Sequence, residues 1–213
     1  CGSKIWHEAS WLLKLDFFVG NLSVENLGTL KDKFSTTQNN QQKNDELNEV
    51  MIACAYHPTA LFVQRQNNKK TYDLFDKTLN LKIEVKTLNE SVDEQIRHDN
   101  QKPNEATIYI GKALSDSELE NRRKSIADSL EKKCSDKLTE AVCQLENEGK
   151  IYLIYDYDIL FKNSDNLMTH APLSKEEIKK IIENYCINFS NVHKNINIES
   201  VYFEDLREKV SNY

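Results

Sequence analysis

The residues with the most chemical information lie in two short stretches, 72–76 and 82–86. Residues two apart in a β-strand share a face, so Glu84 and Lys86 point the same way, and a short hairpin brings Asp73 beside them. Two converging carboxylates repel each other unless a hard cation such as Mg²⁺ lies between them. A lysine beside that cation can orient or deprotonate water, or stabilise charge on a phosphate. This set of groups predicts metal-assisted phosphodiester hydrolysis.

Asp76 is the rival of Asp73 as the aspartate of such a site. It lies closer to the turn and takes the opposite strand face, so both aspartates cannot be ligands without a bulge. We favour Asp73, which lies deeper in the hairpin and faces the Glu84–Lys86 segment. A simpler interpretation remains open: Glu84 and Lys86 form an ion pair on a solvated strand face, and both aspartates shape turns.

The elements that must position these residues follow from periodicity. A stripe of apolar residues predicts a helix over 45–56, which Pro58 ends. Short strands are predicted at 60–64, 71–77 and 81–88, and the last alternates apolar with charged residues. A helix over 91–99 and a strand over 107–110 follow.

The flanking segments add helices and further strands. Residues 5–30 predict a helix packed on the core, with Leu12, Leu13, Phe17 and Phe18 at roughly helical spacing, and the polar stretch 35–44 predicts a loop.

The C-terminal half is predicted to alternate helices and strands. Residues 115–148 predict one or two charged helices, and strands are predicted at 151–161 and 197–203. Ser174 and Glu177 predict a capping box that opens a helix to about 186, and a helical turn covers 204–210. Asp156 and Asp158 suggest that 151–161 is an edge strand. The whole order predicts an α/β fold, a mixed sheet flanked by helices.

The Asp73…Glu84-Val85-Lys86 pattern, taken together with this order of elements, resembles the motif of the PD-(D/E)XK nuclease superfamily. That superfamily includes restriction endonucleases and many toxin nucleases. The resemblance implies a restriction-endonuclease-like α-β-β-β-α-β core over 45–110, with an α-β-α-β extension after it. It also implies that Asp73, Glu84 and Glu46 bind Mg²⁺ or Mn²⁺, with Glu49 as a substitute one turn after Glu46. Lys86 would then assist the attack of water. The Pro that often precedes the family's Asp is replaced here by Tyr72.

The same resemblance makes Gln101 and Lys102 accessory candidates near the metal or the phosphate, although such residues are most often simply exposed. It divides the chain into an N-terminal helical extension at 1–40, a nuclease-like core at 41–112, and a helical and α/β extension at 113–213. We expect the last part to pack on the core in one compact domain.

Charge and composition limit the partners. The 213 residues carry 28 Lys and Arg against 34 Asp and Glu, a net charge of −6, which argues against a protein that coats nucleic acid. A nuclease acting on DNA or RNA is compatible with this balance, and a toxin-type nuclease would bring an immunity protein as partner. The longest apolar run is too short to span a bilayer, so no transmembrane segment is expected.

The five cysteines are widely spaced and form no CxxC motif, which favours reduced thiols and a cytoplasmic location. Acylation of Cys1 in a lipoprotein is a minor alternative. A second functional class also remains open: a non-catalytic binding or assembly protein with a coincidental or decayed motif. The charged helix at 115–148 would then be its partner surface.

Overall fold

The computed structural model describes residues 2–36, 40–64, 71–88, 115–157 and 173–212. Within these ranges the chain forms three helices, then three strands, and then helices and strands in alternation. The helices are α1 (Gly2–Gly20), α2 (Val24–Thr36), α3 (Asn40–Tyr56), α4 (Asp116–Gln144), α5 (Lys175–Val192) and α6 (Phe203–Asn212). The strands are β1 (Leu61–Phe62), β2 (Leu74–Asp76), β3 (Leu81–Leu88), β4 (Gly149–Tyr155) and β5 (Ile196–Tyr202).

The five strands form one mixed sheet in the order β1-β2-β3-β4-β5. The pairs β1–β2 and β2–β3 are antiparallel, whereas β3–β4 and β4–β5 are parallel. Along the chain, α4 lies between β3 and β4, and α5 lies between β4 and β5. The prediction of an α/β fold with a mixed sheet flanked by helices is confirmed.

Both faces of the sheet are covered, which is visible along β4. Tyr152 and Ile154 belong to one buried cluster with α3 and α6, whereas Ile151 and Leu153 belong to another with α4 and α5. Successive residues of a strand point to opposite faces, so β4 is buried on both sides, as parallel strands usually are. The expectation of an edge strand here is therefore wrong: β4 lies between β3 and β5, and its final residue Tyr155 is buried.

Two predictions in the N-terminal part are also wrong. The single helix predicted at 5–30 is divided into α1 and α2, because Asn21 Nδ2 donates to the carbonyl of Phe17 and Ser23 Oγ accepts from Asn26 N. These contacts end one helix and begin the next. The loop predicted at 35–44 is mostly helix, since α2 continues to Thr36 and α3 begins at Asn40.

The face that α1 packs on the core also differs from the expectation. Leu15 and Phe18 are buried, whereas Leu13 and Phe17 are 70% and 71% exposed, and Leu12 is exposed as well. Apolar spacing alone does not identify the inward side of a helix that is apolar over much of its circumference. None of the described helices is long and apolar enough to cross a membrane.

Two further elements begin where the sequence predicts. The strand predicted at 81–88 is β3, and the predicted capping box opens α5: Glu177 N donates to Ser174 Oγ at 3.2 Å and Ser174 N donates to Glu177 Oε2 at 2.7 Å. The helix predicted at 91–99 and the strand predicted at 107–110 lie outside the described residues. Among the described strands, β3 pairs with β2 on one side and with β4, at 149–155, on the other.

Candidate active site

Strand β3 positions Glu84 and Lys86. Ile83 and Val85 point into the buried cluster with α3, so the alternation of the strand places Glu84 and Lys86 together on its other face. There Lys86 Nζ lies 2.7 Å from Glu84 Oε1 and 3.7 Å from Glu140 Oε1 of α4. Glu84 is completely buried, so the pair does not lie on a solvated strand face.

Asp73 lies immediately before β2 and is fixed to β3 by its backbone and its side chain. Its backbone N–H donates to the carbonyl of Ile83 at 3.1 Å, and its Oδ2 accepts from the N–H of Val85 at 2.9 Å. The neighbouring pair in the ladder is Leu74 with Ile83, so Asp73 stands next to Glu84 across the hairpin. The carboxylate thus lies at the point where β2 and β3 stop pairing.

Asp76 belongs to a different set of contacts. Its Oδ1 accepts from the N–H groups of Thr78 and Leu79, and its Oδ2 lies 2.8 Å from His57 Nδ1. The other ring nitrogen of His57 lies 2.9 Å from the hydroxyl of Tyr152. Burial alone would raise the pKa of Asp76, but the hydrogen bonds from His57 and the two backbone amides outweigh it and lower that pKa. Asp76 therefore shapes a turn and anchors a buried polar network.

Helix α3 brings two glutamates to the same region. Glu46 and Glu49 are 1% and 4% exposed and lie about one turn apart. The helix is held against β3 by a buried hydrogen bond, in which Asn48 Nδ2 donates to Thr87 Oγ1 at 2.9 Å. The structure thus brings both glutamates named from the sequence into the interior, beside the hairpin.

The carboxylate cluster consists of Glu46, Glu49, Asp73 and Glu84, and Lys33 of α2 belongs to it although the sequence motif did not point to this lysine. Its ammonium group forms an ion pair and hydrogen bond with Glu49, and it lies 3.8 Å from Asp73 Oδ1 and 4.0 Å from Glu46 Oε2. A signal was present in the sequence: Asn26, Leu30 and Lys33 follow the i, i+4, i+7 spacing of one helix face, and they are the buried residues of α2.

The buried charges of the cluster do not balance. Burial is the main cause that raises the pKa of Glu84 to about 8; Asp73 raises it further, and Lys86 acts in the opposite direction. Burial also raises the pKa of Glu49 well above its usual value, again with Asp73 adding to the effect and Lys33 opposing it. Within the described residues, Glu84 Oε2 has no hydrogen-bond partner. Like charges held this close in a poorly solvated place favour uptake of a proton or of another cation.

The donor chemistry of the cluster fits a hard divalent cation, because Mg²⁺ prefers carboxylate oxygens and Glu84 offers one that is buried and unpaired. The side chains are nevertheless not arranged as a complete set of metal ligands. In the described ranges, no three His, Cys, Asp or Glu side chains converge as metal ligands do. The ammonium of Lys33 instead lies among Glu46, Glu49 and Asp73. Gln101 and Lys102 lie outside the described residues.

The cysteines of the described ranges carry free thiols: Cys54, Cys134 and Cys186 are buried, and Cys143 is exposed. Comparison of the chain with protein-family models, with curated proteins and with solved structures finds no match.

Proposed function

We propose that this chain is a divalent-metal-dependent nuclease that hydrolyses phosphodiester bonds of DNA or RNA. One observation carries the proposal: Asp73, Glu84 and Lys86 lie together at the end of the β2–β3 ladder, and a buried oxygen of Glu84 has no hydrogen-bond partner among the described residues. An ordinary surface ion pair needs neither the complete burial of Glu84 nor the second carboxylate beside it.

In this proposal Asp73, Glu84 and Glu46 hold Mg²⁺ or Mn²⁺, with Glu49 next to them on α3. The bound cation would supply Lewis acidity toward a phosphate and lower the pKa of a water. Lys86 lies 2.7 Å from Glu84, so its ammonium is placed to orient the attacking water or to stabilise charge on the phosphate. Glu140 lies 3.7 Å from the same ammonium and helps to fix its position.

The order of elements supports a restriction-endonuclease-like core as part of the same proposal. Helix α3, strands β1 to β3, helix α4 and strand β4 follow one another as α-β-β-β-α-β, with β4 parallel to β3. This is the order implied by the resemblance, with the second helix and the fourth strand of the described chain at 116–144 and 149–155; residues 91–110 lie outside the described residues. The proposed core therefore extends past the boundary at 112.

The test is cleavage of plasmid DNA and of total tRNA by the full chain, with Mn²⁺ or with EDTA. Asp73→Asn and Glu84→Gln should abolish a metal-dependent activity of the wild type. Asp128→Asn and Glu131→Gln make the same chemical changes at exposed positions of α4 and should leave it intact. Cleavage that persists in EDTA, or in both site variants, would contradict the proposal.

A binding or assembly protein is the second candidate, and an apolar surface on α1 favours it. Leu12, Leu13 and Phe17 are exposed, and Phe17 borders a cavity of about 260 Å³ that Phe18 and Pro58 also line. Exposed apolar surface of this kind is common at interaction sites. Absence of cleavage on both substrates, with no change in melting temperature on adding Mn²⁺, would favour this candidate.

A further inference from the structure

The inward face of α2 ends in a charged residue that reaches the carboxylate cluster. Asn26, Leu30 and Lys33 are the buried residues of this helix, and the side chain of Lys33 is 3% exposed. Near the start of the helix, Asn26 Nδ2 donates to the carbonyl of Ala60 at 3.1 Å, and its Oδ1 accepts from Phe62 N at 3.0 Å. The helix is thus fixed to β1 by Asn26 at one end and to the cluster by Lys33 at the other.

The ammonium of Lys33 takes up carboxylate oxygens that the proposed metal site also needs. It pairs with Glu49, lies 3.8 Å from Asp73 Oδ1, and lies 4.0 Å from Glu46 Oε2. Burial of a charged lysine is strongly destabilising unless carboxylates compensate its charge. Lys33 therefore compensates part of the negative charge of the cluster, while Lys86 pairs with Glu84.

A divalent ion and this ammonium cannot use the same oxygens at the same time. Mg²⁺ binds oxygen at about 2.0–2.1 Å and requires nearly octahedral geometry, so its ligands must turn toward the ion and away from other donors. Two cations at neighbouring positions in a poorly solvated site also repel each other strongly. The absence of a metal-ligand group in the described ranges is consistent with carboxylates arranged around an ammonium instead.

We propose that Lys33 is a built-in competitor for the metal site: its ammonium occupies the cation position among Glu46, Glu49 and Asp73, and a bound divalent cation displaces it. This inference rests on the metal site of the proposed function. Displacement removes the contact that holds the last turn of α2, Lys33–Thr36, against the cluster, while the Asn26 contacts with β1 remain. Metal binding is thereby coupled to the position of the end of α2.

The first test measures Mn²⁺ affinity by calorimetry on the full chain, without any nucleic acid. Lys33→Met removes the competing charge and keeps an unbranched side chain, so Mn²⁺ should bind about tenfold tighter or more, within the usual range of coupling between two ligands. Lys31→Met, at an exposed position of the same helix, is the matched control and should bind as the wild type does. Equal or weaker affinity in a folded Lys33→Met variant would overturn the inference and leave the metal site standing.

The second test uses the wild type, so it does not depend on the folding of a variant. Brief acetylation followed by mass spectrometry reports which lysines are accessible, with Lys31 as the exposed reference. Lys33 should be protected in EDTA and become labelled about tenfold faster with saturating Mn²⁺, since displacement exposes it to the reagent. Labelling of Lys33 that stays the same or slows with bound Mn²⁺ would overturn the inference. If neither wild type nor Lys33→Met binds Mn²⁺, the metal site of the proposed function fails, and the inference fails with it.

Discussion

The carboxylate of Asp73 accepts a hydrogen bond from the backbone N–H of Val85, with 2.9 Å between Oδ2 and N. The backbone pairing of β2 with β3 ends at Leu74. The side chain of Asp73 supplies the acceptor for the next free amide of β3, that of Val85. One aspartate therefore closes the ladder and carries a charge into the site, with its other oxygen 3.8 Å from Lys33. The structural role and the charge of Asp73 can therefore be removed separately by substitution.

Asp73→Ala should destabilise the fold, whereas Asp73→Asn should largely preserve it. Alanine leaves the Val85 amide without its acceptor, which costs about 1–3 kcal/mol of the free energy of unfolding. Asparagine retains a carbonyl oxygen for that amide and loses only the charge. Urea denaturation measures both free energies, and cleavage assays should find both variants inactive. Equal stability of the two variants would mean that the Val85 hydrogen bond contributes little.

Glu84 should make the stability of the protein depend on pH. Burial raises the pKa of Glu84 to about 8, so the folded protein holds a proton that the unfolded chain has already released at neutral pH. Stability is therefore lost as pH rises from the ordinary carboxyl pKa toward 8. Glu84→Gln has no proton to release there, and its free energy of unfolding should decline less over this window.

Urea denaturation at several pH values between about 5 and 9 checks this expectation. Glu49, with its pKa also raised by burial, leaves a residual slope in the variant. Glu131→Gln is the matched control at an exposed position and should reproduce the wild-type slope. A variant slope as steep as that of the wild type would show that Glu84 does not titrate in this range. Saturating Mn²⁺ should also flatten the wild-type slope, because metal binding favours the ionised carboxylate.

Removal of the Lys86 charge should separate catalysis from metal binding. Lys86→Met should lower the cleavage rate by about 100-fold or more, the usual effect of losing a group that stabilises transition-state charge. Mn²⁺ affinity should be retained or increased, since the variant removes a positive charge near Glu84. Calorimetry and cleavage rates measure the two effects, with Lys132→Met on the exposed side of α4 as control. Parallel loss of affinity and rate would assign Lys86 to the support of the metal site.

The His57 network should contribute to stability and not to cleavage. His57→Ala leaves both Asp76 and the Tyr152 hydroxyl without a side-chain partner in a buried place, which should cost about 1–3 kcal/mol or more. Tyr152→Phe removes only one of these hydrogen bonds and should cost less. Thermal melts and cleavage rates below the transition distinguish the roles. If a folded His57→Ala variant lost cleavage activity, that result would assign Asp76 a role in catalysis.

The same network predicts sensitivity to acid. The pKa of Asp76 is lowered, because hydrogen bonds from His57, Leu79 and Thr78 outweigh the effect of burial. A carboxyl group of this kind contributes stability above its unfolded pKa, and that contribution is lost as pH falls through its folded pKa. The Asp76→Asn variant should therefore lose less stability than the wild type as the pH falls from about 5 to about 2. Circular dichroism over this pH range measures the loss. An unchanged acid transition would contradict this role of Asp76.

Local regularities explain what could be predicted from the sequence. The period of two along 81–88 identified β3 and placed Glu84 and Lys86 on one face, because pleating repeats every two residues whatever surrounds the strand. The capping box at Ser174 was also predictable, since it satisfies amides within three residues of itself. The α/β class followed from the order of such elements.

Other features depended on packing between distant parts of the chain. Periodicity marked β4 as a strand but did not reveal that it lies between β3 and β5, because strand neighbours are chosen by the whole sheet. Only the structure shows that Asp73 and Asp76 have different roles, because Asp73 is bound by the Val85 amide and Asp76 by His57. Lys33 is the clearest case: its helix position was readable, but its partners lie 13 to 40 residues away and meet it only when α2 packs against α3 and the hairpin. Such contacts depend on how helices and strands pack and not on any local repeat, so tertiary structure alone decided where the charges of this site meet.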